Sequence, residues 1–364
     1  MLGTVLSVQA NFYWVRLDDE TVQTGLTNAN ASKPLSSPML LCTRRSRLKK
    51  MGQQVWVGDR VHIEEPDWVS QRGAIAEVLN RATELNRPPV ANADHILLMF
   101  AMADPPLDPM QLSRFLMKAE STQLAVTLCL NKQDLVCPNE QQDWCKRLQQ
   151  WGYSPVLISL QQGIGLESLT THLKGHNTII SGPSGVGKSS LINHLIPSVD
   201  QRVSAVSGKL GRGRHTTRHV ELFELPDGGL VADTPGFNQP DLDCYPSELS
   251  QYFPEIRQRL SHHSCQFSNC LHRDEPDCAV RGNWERYDHY LSFLDDAVSY
   301  QTEQEQRSGK ETAMKVKSGQ MGRDRIEPKL QTKRYRRKSR RSETQNLQDL
   351  CGDVKEMLNY DTND

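Results

Sequence analysis

The chain has 364 residues, 37% of them hydrophobic and 24% charged, enough apolar material for a sizeable core and two or three domains. Lys and Arg number 43 against 44 Asp and Glu, a formal net charge of -1, so the total charge by itself points to no class of partner. Nine scattered cysteines argue against a small disulfide scaffold, and the N-terminus lacks the basic and long apolar regions of a signal peptide. The longest apolar run, Ile96 to Ala103, is too short for a membrane span, so a soluble monomer in the reducing cytoplasm, with no membrane partner, is expected.

Residues 1–86 read as short strands with Gly turns: Val5, Val8, Val15 and Leu17 in one stretch, Val55–Ile63 in a second, Ala74–Leu79 in a third. Such a pattern predicts a small all-β barrel, of oligonucleotide-binding type or SH3-like, since periodicity does not separate the two. From residue 87 to 245 strands and helices alternate. His95–Ala101, Leu124–Leu130 and Val156–Ile158 are apolar strands; Leu112, Phe115, Leu116 and Ala119 recur at helical spacing, and Trp144, Leu148 and Trp151 mark a second helix. This alternation predicts an α/β domain with a parallel sheet covered on both faces. Residues 246–302 are rich in Tyr, His and Cys and read as mostly helical. Over 303–364 apolar content falls, basic residues dominate Arg307 to Arg341 and acidic ones the end, which predicts a disordered charged tail.

The chemistry sits in five short motifs. Gly182-Pro183-Ser184-Gly185-Val186-Gly187-Lys188-Ser189, followed by Ser190, lies between the strand Thr178–Ser181 and a helix carrying Leu191, Ile192 and Leu195. Glycines at this spacing let backbone N–H groups turn toward phosphate oxygens at a helix N-terminus. Lys188 is then placed for the β- and γ-phosphates and Ser189 for Mg²⁺. Asn131-Lys132-Gln133-Asp134 follows a buried strand and selects guanine: the Asp134 carboxylate can accept from N1–H and the exocyclic amine, a pattern adenine does not offer, and the Lys132 stem can cover one face of the base. Asp233-Thr234-Pro235-Gly236 ends another strand, with Asp233 directed to Mg²⁺ through water and the Gly236 N–H to the γ-phosphate. The Gly- and Arg-rich segment Gly211–His219 lies between these two and reads as a switch. Thr217 is favoured over Thr216 as its Mg²⁺ ligand. Ser159-Leu160 stands where a fifth, base-contacting loop belongs, with Leu160 in place of the usual small residue. The motifs run base, phosphate, switch, a rotation of the ordinary order, which a compact domain with neighbouring termini tolerates.

Farther on, Cys265-x4-Cys270-x-His272-x5-Cys278 offers three thiolates and one imidazole within fourteen residues, the donor set of a closed structural Zn²⁺ site. His262 and His263 are rival ligands.

Together, the small barrel, the rotated GTPase motifs and the Cys-Cys-His-Cys set closely resemble the RsgA family, also called YjeQ or YloQ. The matching residues are Arg87–Asp94, Gly182–Ser190, Gly211–Thr217, Asp233–Phe237 and the four zinc ligands. The resemblance implies an oligonucleotide-binding barrel, a zinc-binding helical domain, contact with rRNA and GTP hydrolysis to GDP stimulated by the small ribosomal subunit in its late maturation. It also points to His215 as the residue that orients the attacking water, because Phe237, just after Gly236, cannot hydrogen-bond. Leu160 and the long tail depart from the family pattern. Two other readings compete: an RNA-binding module that uses GTP as a slow conformational clamp, and a GTPase in tRNA processing.

Overall fold

A computed structural model describes residues 1–18, 39–86, 89–196, 220–233, 242–311, 314–318 and 324–328. The N-terminal strands are β1 (Leu2–Gln9), β2 (Phe12–Leu17), β3 (Met39–Arg44), β4 (Arg60–Asp67) and β5 (Arg72–Val78), with a short helix α1 (Ser46–Lys50). Their order is β1-β2-β3-β5-β4, closed by β1 against β4 and with β3 parallel to β5, a five-stranded Greek-key barrel. Alternate residues turn inward and pack as one core: Val5, Val15 and Leu17 meet Leu40, Val61, Ile63 and Ile75. The expected single stretch through Val5–Leu17 is two strands, with a register shift between Val5 and Ser7 that bends β1. Val55–Val57 is not a strand in this barrel; Val57 makes one bridge to Val90 instead.

The central domain contains β8 (His95–Ala101), α2 (Pro109–Glu120), β9 (Ala125–Asn131), α3 (Pro138–Gln150), β10 (Val156–Leu157), α4 (Leu166–Leu173), β11 (Asn177–Ser181), α5 (Lys188–Leu195), β12 (Glu221–Glu224) and β13 (Leu230–Asp233). The order β10-β9-β8-β11-β13-β12 is parallel except for β12. All seven residues of β8 are buried, as expected of a central strand covered on both faces. Leu97, Met99 and Ile180 face α4 and α5, while Ile96, Leu98 and Phe100 face α2 and α3. Asp108 caps α2, accepting from the N–H of Met110 at 2.8 Å, and Pro109 supplies its first turn.

The expected boundaries at 86, 245 and 302 fall inside structure. The hairpin of β6 (Glu84–Asn86) and β7 (Pro89–Ala91) straddles the first. Leu242 and Cys244 already belong to the C-terminal core, and α8 (Tyr287–Glu311) runs through the third. Barrel and central sheet are continuous, because Ser7 of β1 pairs with Glu221 of β12; Leu6, Val57, Val90, Val220 and Leu222 fill the junction. Met1–Val298 forms one compact unit. The C-terminal module also contains α6 (Pro246–Leu249) and α7 (Pro254–His262), packed with α8 around Phe253, Ile256, Tyr290 and Phe293. In the second unit, Ser299–Asp364, within the tail expected to be largely disordered, β14 (Met314–Ser318) pairs antiparallel with β15 (Asp324–Pro328), backbone pairing that a reading of charge and low apolar content does not detect.

Candidate nucleotide site and metal centre

Parallel strands bring the motif loops to one edge. Ala101 pairs with Asn131, Leu157 with Leu130, Ser181 with Leu98 and Ile180 with Asp233, so the carboxyl ends of five strands lie side by side. Ligands of open α/β sheets bind there. Gly182 leaves β11 at φ +145°, where an added Cβ would lie 1.9 Å from the Met99 carbonyl oxygen. Gly187 caps α5 at φ +105°, where a Cβ would come within 2.6 Å of Asn131 Nδ2. The glycine spacing is thus required by close approach as well as by backbone conformation.

Asn131 is the hub. Its Nδ2 donates to the Val186 carbonyl at 2.8 Å, and its Oδ1 accepts from the Leu160 N–H at 3.3 Å. One buried amide therefore ties the base motif to the phosphate loop and to the fifth loop. Ser159 is fully buried, and its hydroxyl accepts from Gln162 N at 3.1 Å, which shapes that loop. Gln133 N donates to Ile158 O, and Lys132, in the left-handed region at φ +60°, donates to the Asp104 carbonyl. A cavity of about 340 Å³ is lined by Asn131, Lys132, Asp134, Leu160, Gly187 and Ser190, with Leu135 and Gln161 completing the wall. Leu160, the departure from the family pattern, is part of the wall. Asp104 carries no motif signal, and only folding brings it to Lys132, whereas Leu135 enters the wall as the residue next to Asp134.

Lys188 Nζ donates to the carbonyls of Gly182 at 2.8 Å and Pro183 at 2.6 Å, which holds its ammonium against the loop. Ser189 is exposed at the start of α5. The Asp233 backbone ends β13 beside β11. His215, Thr216, Thr217 and Gly236 lie outside the described residues.

The Cys/His set does converge. Ligand atoms of Cys265, Cys270, His272 and Cys278 all lie within 4.8 Å of one another. His272 Nδ1 is 3.5 Å from Cys265 Sγ and 3.4 Å from Cys278 Sγ, and the two sulfurs are 4.0 Å apart. A tetrahedron with metal–sulfur bonds of about 2.3 Å has sulfur–sulfur edges of about 3.8 Å, so this donor set fits zinc. Burial favours the neutral imidazole of His272, the form that binds metal. The rivals His262 and His263 are not in the cluster, because α7 runs through His262 and leaves both exposed. Surrounding groups fix the loop: Tyr287 Oη donates to His272 O at 2.9 Å, and Tyr290 Oη to Leu271 O at 2.8 Å. Glu275 accepts from the N–H groups of Leu271, Arg273 and Asp274. Burial alone would raise its pKa, but these donors bring it down to about 2.

The module is clamped to the central domain through α2 and α3. Arg286, fully buried, pairs with Glu255, and its guanidinium lies over Trp151 at 4.8 Å and Phe253 at 4.7 Å. Trp151 Nε1 donates to Glu285 Oε2 at 2.9 Å, Arg114 reaches Asp296 at 2.6 Å, and Arg257 reaches Glu120 at 2.8 Å.

Known proteins match this architecture. A family model for the RsgA GTPase matches residues 78–243. A small ribosomal subunit biogenesis GTPase RsgA from Trichormus variabilis is 61% identical over 357 residues, covering 96% of each chain. The crystal structure of YjeQ from Thermotoga maritima is 30% identical, with a TM-score of 0.65, covering 82% of this chain and 98% of that one. That of YloQ, described as a circularly permuted GTPase, is also 30% identical, with a TM-score of 0.64 and coverage of 82% and 95%. Identity of this extent, along the whole rotated motif order, shows that the chain belongs to the RsgA family of circularly permuted GTPases.

Proposed function

We propose that this chain binds GTP in the cavity around Asn131, hydrolyses it to GDP and phosphate, and serves late maturation of the small ribosomal subunit through contact with its rRNA. The carrying observation is Asn131, whose amide joins the base, phosphate and fifth loops into one site although they lie in rotated order along the chain. Asp134 reads the guanine edge and Lys132 covers its face. The N–H groups of the loop from Gly182 to Ser190 hold the phosphates together with Lys188. Ser189, Thr217 and Asp233 would hold Mg²⁺, which would supply charge neutralisation at the β- and γ-phosphates. Gly236 senses the γ-phosphate, and His215 orients the water. One structural Zn²⁺ on Cys265, Cys270, His272 and Cys278 holds the C-terminal module. The strand order of the barrel supports the oligonucleotide-binding type over the SH3-like one. The chain acts as a cytoplasmic monomer.

Turnover of the full chain with and without purified small subunits is the test. Strong stimulation is expected; stimulation by tRNA alone, or none, would overturn the ribosomal assignment. On saturating subunits, single-turnover hydrolysis by His215→Ala should fall by about 10²-fold with binding intact, the lower end of general-base effects. A wild-type rate would exclude His215.

A further inference from the structure

We infer that the cleft between the end of α3 and the C-terminal module binds an unpaired purine base of single-stranded RNA. The cleft measures about 520 Å³ and lies at the far end of α3 from the Asn131–Asp134 motif, which precedes that helix. One wall is a single face of α7: Glu255, Gln258, Arg259 and His262 recur at i, i+3, i+4 and i+7. The rest of the lining is Gln150 and Trp151 at the end of α3, with Asn283, Trp284 and Glu285 from the segment before α8.

Trp284 is a fixed platform. Its Nε1 donates to Val280 O at 3.0 Å, its ring meets Phe253 edge-on at 6.1 Å, and the Arg259 guanidinium lies 5.8 Å from its centroid. A half-buried aromatic ring held this way, with a guanidinium beside it, is the surface on which bases stack. The acids in the cleft are already neutralised: both Glu255 oxygens accept from Arg286, and Glu285 accepts from Arg147 and from Trp151. Their remaining lone pairs can take amino hydrogens of a base. Among the described residues Arg259 makes no ion pair, so its guanidinium leaves a positive charge on the rim, as a phosphodiester requires. An acidic peptide would also be drawn to that rim, but its carboxylates have nothing to stack on Trp284 and would face Glu255 and Glu285. A purine is preferred over a pyrimidine because it covers more of the ring. The occupant would lie between the α3 end of the central domain and Trp284 of the module, with Trp151 as the buried floor beneath it.

This inference rests on the reading that RNA is the partner, and its test separates the two. The full zinc-loaded chain is photo-crosslinked to a short single-stranded oligoadenylate carrying one 8-azidoadenosine, and adducts are mapped by mass spectrometry. The expected adducts lie on the peptides of Gln258–His262 and Asn283–Glu285; adducts confined to other regions overturn the site. Trp284→Leu should weaken oligoadenylate binding by about tenfold, within the range of losing one base stack. Arg259→Ala should lower the salt slope by about 0.7. Gln258→Ala, a change in the helix face alone, should weaken the oligoadenylate with zinc content and melting temperature unchanged. Equal binding of a perfect RNA duplex, competition by an acidic peptide, or wild-type affinity in all three variants would overturn the inference. Subunit-stimulated turnover by the wild type, measured alongside, reports on the ribosomal reading independently: if it persists while the variants bind normally, only the cleft is refuted.

Discussion

The nucleotide cavity and the Cys/His cluster are built on opposite plans. The cluster draws its four donors from fourteen consecutive residues, and their geometry depends on one short loop braced by Tyr287, Tyr290 and Glu275. The cavity gathers side chains from residues 131 to 190, held in place by a parallel sheet and by one shared amide. At the local site a bound metal would supply the free energy for ordering a loop with little apolar content, whereas the distributed site inherits its order from the sheet core beneath it. Loss of a ligand should therefore damage fold at the first and specificity at the second.

The sharpest contrast is the metal. Structural Zn²⁺ is worth about 10–16 kcal/mol in finger peptides. Cys270→Ser, or chelation, should release the metal and unfold the region around residues 245–300, seen as lost tertiary signal in that module. A metal-free, fully folded wild type would break the comparison at its base. Next in size is the clamp. Glu255→Ala leaves Arg286 buried without its partner and should cost about 3–5 kcal/mol by denaturant unfolding. The paired change Glu255→Leu with Arg286→Met removes both charges and should recover most of that loss. If the single change is silent, Glu255 is not what holds the Arg286 guanidinium in place over Trp151.

At the distributed site the effects are smaller and chemical. Asp134→Asn replaces an acceptor with an amide that can donate, so GDP affinity should fall by about 10²-fold or more while xanthosine diphosphate gains. Competition between the two nucleotides measures it, and unchanged GDP affinity would remove Asp134 from the base pocket. The smallest effect concerns the tail. Because α8 continues to Glu311, truncation belongs after that residue rather than near 300. It should leave basal hydrolysis intact and flatten the salt dependence of RNA binding by about 0.7–0.9 per lost phosphate contact. An unchanged slope would make the basic run an idle linker.

Much of both sites was legible without a structure, for reasons that differ. A metal set is a matter of spacing, and a phosphate loop of glycines at positions where a Cβ cannot fit, as the Met99 carbonyl shows at Gly182. The rotated motif order needed no geometry either, since each motif follows its own apolar strand. His272 was read from the spacing with His262 and His263 as rivals, and the fold removes the rivals because α7 runs through His262 and leaves both exposed. The place of Leu160 was not legible: its departure from a small residue was visible, but its N–H on Asn131 and its position in the cavity wall follow from how β9 and β10 pair.

By itself the sequence set out the chemistry on offer: candidate residues for phosphate, guanine and metal, and the order in which they occur. Those are properties of side-chain type and local spacing, which short-range physics imposes on the chain directly. Only the tertiary structure decided what is adjacent: that Ser7 continues the central sheet through Glu221, that Asp104 meets Lys132, and that Arg286 is buried between Trp151 and Phe253. Those contacts join residues from 28 to more than 200 positions apart, and their partners are selected by sheet register and by the packing of whole helices, which no local pattern encodes.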